Sequence, residues 1–237
     1  MLRNSYNITS FEALDELVHS RIKSKSQIIT ILVSSLKIIL TDLNPTEESG
    51  DTFTLRYYGL KKRMFFTIYD KEEKVFKHFS FIFPFNINFV DTNVYFSINN
   101  REIEIDLYIL EILSTLCKNN WFSDNNEDNH DILSFIESYG DLLSDFNISV
   151  DLETDLWSVI KCLMTFEPGY IRYDYDVDNC EEFIHPLHHI DIYYSDVGTF
   201  KLGFDDSFKI NDRLSLEEFE DILLDGRSRA SYCYSLS

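Results

Sequence analysis

A chain of 237 residues with 44% hydrophobic and 15% aromatic side chains is long enough to bury a core of ordinary size and too apolar to stay disordered. Its formal net charge of −20 repels phosphate backbones unless cations are gathered locally, so sequence-independent nucleic-acid binding is disfavoured. Glycine is scarce (7 residues), and neither GxGxxG nor a GxxxxGK loop ending in Ser or Thr occurs, which removes the two common nucleotide fingerprints.

In chain order, residues 10–42 read as helical. Thr9 and Glu12 in TSFEALDELVHSRI form a capping box, and Leu14, Leu17, Val18 and Ile22 then recur on one helical face. A second helix, over 24–42, carries Ile28, Ile31, Leu32, Leu36 and Ile39. Its apolar run IITILVSSLKIIL (28–40) is interrupted by Ser34, Ser35 and Lys37 and is too short to cross a bilayer, so a buried helix is expected and no membrane partner. The N-terminus has no signal-peptide pattern. Cys117, Cys162, Cys180 and Cys233 form no CxxC pair, which favours reduced thiols in a cytoplasmic protein over a disulfide framework or a cysteine-bound zinc.

After the loop at 44–51 the pattern changes. The segments TFTLRYYG, RMFFTIYD, KVFKHFSFIF and NVYFSINN are rich in aromatic and β-branched residues and predict strands over 52–107, with a hairpin around Asn99–Asn100. Strands in succession, with no helix between them, pair antiparallel. Residues 105–165 return to helix: 105–118, a polar loop at 119–131, then helices at 131–145 and 151–165, the last with Leu152, Leu156, Val159, Ile160 and Leu163 on one stripe. Strands follow over 169–204, and Ser215 with Glu218 caps a C-terminal helix over 215–225. The expected architecture is one α+β domain spanning 1–237. Its antiparallel sheet or sheets are built from two meanders, flanked by N-terminal, central and C-terminal helices.

Chemistry concentrates in YIRYDYDVDNCEEFIHPLHHIDIYY (170–194), which holds three of the six histidines. Strand alternation puts Arg172, Asp174 and Asp176 on one face, and His189, Asp191 and Tyr193 on one face of the following strand. If the two strands pair, one sheet face holds Arg172, Asp174, His189 and Asp191 and the other is apolar; a slip by one residue brings His188 to the polar face instead. Three readings compete. In the acid–base reading, Arg172 grips a phosphate, His188 or His189 exchanges protons, Asp174 or Asp191 orients the imidazole, and His185 is a further candidate, which suits RNA phosphodiester cleavage without metal or cofactor. A metal reading uses His185, His188 or His189 with Asp174 or Asp191, but the spacing matches no strong signature such as HExxH, and no metal is assigned. In the third, the histidines cap and cross-link strands while the acids face solvent.

Elsewhere the signals are weaker. LKKRMFF (60–66), with Arg56, is either a basic–aromatic strand that clasps nucleic acid or an edge strand protected by lysine. SDNNEDN lacks the glycine and terminal glutamate of a calcium loop. His19 and His78 stand isolated, so structural roles are expected for both.

The run R-x-D-Y-D followed by H-P-L-H-H-x-D resembles a group of uncharacterised bacterial proteins that carry a domain of unknown function, with an RxDY strand followed by an HPxxHxH-like strand. It is also similar to small toxins of bacterial toxin–antitoxin pairs. The match covers about 25 of the 237 residues, and Asp191 stands where an HxH ending would place a histidine. The resemblance implies a cytoplasmic bacterial protein from a defence or toxin–antitoxin cassette, and it carries over Arg172, Asp174, His185, His188 and His189 as site residues. Two functions follow as expectations: an Arg/Asp/His site acting on RNA, or a non-catalytic, immunity-type protein whose carboxylate-rich surface binds a basic protein partner.

Overall fold

The computed structural model describes residues 5–8, 12–41, 50–58, 61–69, 75–90, 93–98, 103–123, 132–175, 187–195, 198–203 and 215–224. The fold is α+β, with two antiparallel sheets among these residues. Two compact units divide the chain: a sheet unit (Met1–Arg21, Asn44–Phe83, Pro168–Ser237) and a helical unit (Ile22–Leu43, Pro84–Glu167).

The sheet unit contains β1 (Ser5–Asn7), α1 (Glu12–His19), β2 (Thr52–Tyr58), β3 (Lys61–Tyr69) and β4 (Val75–Ile82). The helical unit supplies α2 (Lys25–Thr41), β5 (Asn86–Val90), β6 (Asn93–Ile98), β7 (Ile103–Glu104), α3 (Leu107–Lys118), α4 (Ile132–Asp145) and α5 (Val150–Thr165). The sheet unit then resumes with β8 (Ile171–Tyr175), β9 (His188–Ser195), β10 (Gly198–Gly203) and α6 (Leu216–Leu224). The strands expected over 52–107 are therefore shared out. Strands β1 to β4 join β8 to β10 in one seven-stranded sheet, whereas β5 to β7 form a separate three-stranded one. The union runs through β4 and β8, which pair antiparallel although about 90 residues separate them in sequence.

Strand β3 is buried from Met64 to Ile68 without a break. Because side chains alternate, such a strand must be covered on both faces. It lies third of seven strands, between β2 and β4, which corrects the edge-strand reading of LKKRMFF. Of its cations, Lys61 is exposed, whereas Arg63 donates to Ser80 and to the Gly169 carbonyl; Arg56 on β2 donates to Glu220. On one face, Tyr6, Phe53, Phe66 and Phe79 are successive cross-strand neighbours whose rings stack at 5.2, 5.4 and 4.4 Å. On the other, Phe65, Tyr173 and Ile190 form a core with Phe219 of α6. His78 lies on this second face, bonded to Thr67 and stacked on Tyr173 and Phe219, the structural role expected for it.

Gly169 governs the lead-in to β8. Its φ is +52°, and an added Cβ would stand 3.0 Å from Ile82 Cδ1. Pro168 accepts from the Ile82 N–H at 2.7 Å, so the segment cannot shift freely. Gly169→Ala is expected to cost about 1–2 kcal/mol from the left-handed backbone alone, seen as a lower urea midpoint with an unchanged slope.

In the helical unit, α2 is buried nearly all round, through Ile28, Ile29, Ile31, Leu32, Val33, Leu36, Ile38 and Ile39, as a core helix should be. Asp106 caps α3 by accepting from Ile109 N–H, and Ser149 caps α5 by accepting from Leu152 N–H. No helix among the described residues is long and apolar enough to cross a membrane. Cys117 and Cys162 are free thiols, and burial pushes Cys117 up to about 11, which suppresses its thiolate. Cys180 and Cys233, the hairpin tip at Asn99–Asn100 and most of the 119–131 loop lie outside the described residues.

Candidate functional site

In the β8–β9 ladder, Arg172 stands opposite Asp191 and Asp174 opposite His189. All four side chains therefore share one face, in the register that the alternation of YIRYDYD and HHIDIYY predicts. This row continues the aromatic ladder, since Phe79 is the cross-strand neighbour of Arg172. Arg172 Nε donates to Asp174 Oδ2 at 2.8 Å, and a terminal guanidinium nitrogen reaches Asp174 Oδ2 at 2.6 Å and Asp191 Oδ2 at 2.5 Å. His189 Nε2 lies 3.3 Å from Asp174 Oδ2, with its side chain fully buried.

The electrostatics are those of a closed ionic cluster. Burial acts to weaken Arg172's hold on its proton, but Tyr170, Asp174 and Asp191 outweigh it and keep the guanidinium above its ordinary value. Burial likewise acts to raise Asp174, yet the His189 hydrogen bond and Arg172 hold its carboxyl below the usual range. Gripping a phosphate with Arg172 would require breaking charge-assisted bonds to two carboxylates. Asp174, His189 and Asp191 are close enough to share an ion, but a second cation would meet the guanidinium already seated on both acids.

The remaining histidines do not join this cluster. His188 is on the opposite face, where its Nδ1 shares a 2.8 Å hydrogen bond with the Tyr173 hydroxyl and its ring packs 5.0 Å from Tyr175. The register thus answers which neighbour shares the face of Asp174: His189 does, and His188 braces the core side. His185 lies outside the described residues.

One residue invisible to the sequence reading joins the cluster. Lys77 on β4 is the cross-strand neighbour of Asp174 and is 3% exposed. Its ammonium donates to the Ser20 carbonyl at 3.1 Å and lies about 6 Å from the Phe76 and Phe79 rings. With Arg172 and Asp174 it lines a cleft of ≈ 170 Å³, together with His19, Ser20, Arg21 and Phe76. That volume is below the roughly 300–1,000 Å³ of drug-sized ligand sites.

Burial, with help from Arg172, brings Lys77 down to about 8 from 10.5, against the opposing pull of Asp174 and Asp51. A base whose folded value is depressed binds fewer protons when folded, so stability rises with pH between the two values. Chemical denaturation should therefore show a gain from pH 8 to pH 10 that Lys77→Met lacks. The Met variant should match or exceed the parent at pH 7, because it no longer buries a charge.

A second candidate surface lies on the helical unit. Residues 119–160 contain ten acidic residues and no Lys or Arg. Glu137, Asp141 and Asp145 on α4 are exposed, and Glu153 and Asp155 on α5 are partly so. Among these acids stand large apolar side chains open to solvent: Ile136 at 60%, Met164 at 42% and Trp157 at 38%. Tyr139 joins the two helices, its ring 5.3 Å from Trp157 and its hydroxyl donating to the Glu153 carbonyl. Ile136 lies one turn before Tyr139 on the same side of α4. Scattered apolar residues need no explanation, but an aromatic cluster ringed by charge has the composition of a binding surface. Comparison with protein-family models, with curated proteins and with solved structures gave no match to this chain.

Proposed function

We propose that the chain is a non-catalytic, acidic binding protein that holds a basic protein partner on the α4–α5 face. The observation that supports this is the presence of Glu137, Asp141, Asp145, Glu153 and Asp155 on the same two helices as the solvent-open Ile136 and Trp157 and the half-buried Tyr139. Charge steers the partner in and selects its sign, while the aromatic ridge supplies the desolvated centre where binding energy concentrates. The matching occupant is a lysine- or arginine-rich amphipathic segment with one apolar stripe. On this reading the protein works in the cytoplasm as an immunity-type component of a bacterial defence or toxin–antitoxin cassette, the setting that the 170–194 resemblance implies.

The RNA-cleaving alternative draws its support from the cleft, where Lys77 and Arg172 gather positive charge beside Asp174. It is weakened by the pairing of Arg172 and the burial of His189. A labelled Lys/Leu peptide, amphipathic as a helix, separates the two. Saturable binding that weakens steeply with salt, together with intact RNA after long incubation, is the expected result. RNA cleavage that disappears in Lys77→Met, with no peptide binding, would overturn it.

A further inference from the structure

Residue His19, isolated in sequence, is not isolated in space. Asp15 and His19 are four residues apart on α1, and Asp51 precedes β2; the three offer ligand atoms that all lie within 4.8 Å of one another. Asp51 is 5% exposed, and its Oδ1 accepts the Tyr69 N–H at 2.8 Å, which aims Oδ2 at His19.

Two observations point to a ligand for this trio. Oxygen Oδ1 of Asp15 is buried and has no hydrogen-bond donor among the described residues. The imidazole is also oriented for a ligand. Its Nδ1 stands 2.9 Å from the Asp15 main-chain oxygen, which can only accept, so Nδ1 carries the hydrogen. Nε2 then faces Asp51 Oδ2 at 3.2 Å. An imidazole that gives its Nδ1–H to a backbone carbonyl and turns Nε2 toward carboxylates has the usual posture of a metal ligand.

We propose that Asp15, His19 and Asp51 form a binding site for one divalent transition-metal cation, tying α1 to β2. One imidazole and two carboxylates suit Zn²⁺ or Mn²⁺ better than Mg²⁺ or Ca²⁺, which prefer all-oxygen shells. Ligands about 2.1 Å from a shared ion lie at most about 4.2 Å apart, so closing the trio on an ion takes only small rotamer shifts. His19 also lines the cleft beside Lys77, which leaves the site a route to solvent.

The site stands apart from the Asp174–His189–Asp191 group, whose place for a cation Arg172 already fills. The test is calorimetric titration of chelator-treated protein with Zn²⁺ and with Mn²⁺, paired with thermal unfolding. One equivalent should bind with a rise of several degrees in Tm. His19→Ala, at a side chain 42% exposed, should fold normally and weaken binding at least tenfold. Asp191→Asn should leave it unchanged. His19→Lys separates a ligand from a plain ion pair, because a permanent cation satisfies both carboxylates yet cannot take the metal. Absence of stoichiometric binding, or full binding in His19→Ala, would overturn the proposal.

Discussion

Arg172→Ala is expected to cost about 3–5 kcal/mol of folding stability at neutral pH, the usual penalty for removing one partner from a buried ion pair. Asp174 and Asp191 have side chains only 12% and 14% exposed and would be left facing each other with no cation between them. The sign of the pH dependence is a sharper check. In the parent, the depressed Asp174 value contributes stability that is present above the ordinary carboxylate pKa and is lost as pH falls through the folded value. Without Arg172, Asp174 loses part of what holds it down and its value rises, so the variant loses less than the parent as pH falls. The gap measured by urea denaturation should be widest near pH 7 and should narrow toward pH 3. Asp191→Asn, which leaves the Arg172–Asp174 pair standing, should cost about 1–2 kcal/mol. A gap that stays constant with pH would mean that Arg172 contributes packing rather than charge.

The second large effect concerns the helical unit. Trp157→Ala should weaken binding of the Lys/Leu peptide by about tenfold or more, because truncating a central aromatic anchor costs roughly 1–2 kcal/mol or above. The fold should be unaffected, since the side chain is partly open to solvent. Glu137→Lys with Asp141→Lys should act differently, slowing association and flattening the salt dependence, since exposed charges govern encounter more than residence. Stopped-flow kinetics separate the two: the Trp157 variant should change dissociation and the double lysine variant association.

Period-two alternation made the polar face of β8 and β9 legible, because a single pairing register places Arg172, Asp174, His189 and Asp191 together and leaves an apolar reverse side. The same logic separated His188 from His189 once the register was known. What alternation cannot supply is the neighbour on the far side of β8. Strand β4 pairs with it although residues 84–167 of the helical unit separate them in sequence, so Lys77 beside Asp174 had no local signal. The trio around His19 was half legible: Asp15 and His19 stand at helical spacing, but Asp51 arrives from another element. Strands β6 and β7 were read as strands but assigned to the first meander, and β5 was not singled out within 52–107, because strand composition carries no address. The burial of His189 also changes an obvious experiment. Replacing His188 and His189 together would disturb the core as well as any chemistry, so loss of a cellular phenotype in that double variant would not identify a catalytic pair.

Of the two tryptophans, Trp121 is buried and Trp157 is on the proposed face. Trp121→Phe would therefore leave one indole reporting from the contact itself. The most direct measurement is its fluorescence during titration with the amphipathic Lys/Leu peptide, set beside an oligolysine of equal charge. Burial of Trp157 predicts a saturable blue shift with the amphipathic peptide, a much weaker response to oligolysine, and loss of both at high salt. An emission spectrum unchanged at saturating peptide would contradict the assignment of this face to a basic partner.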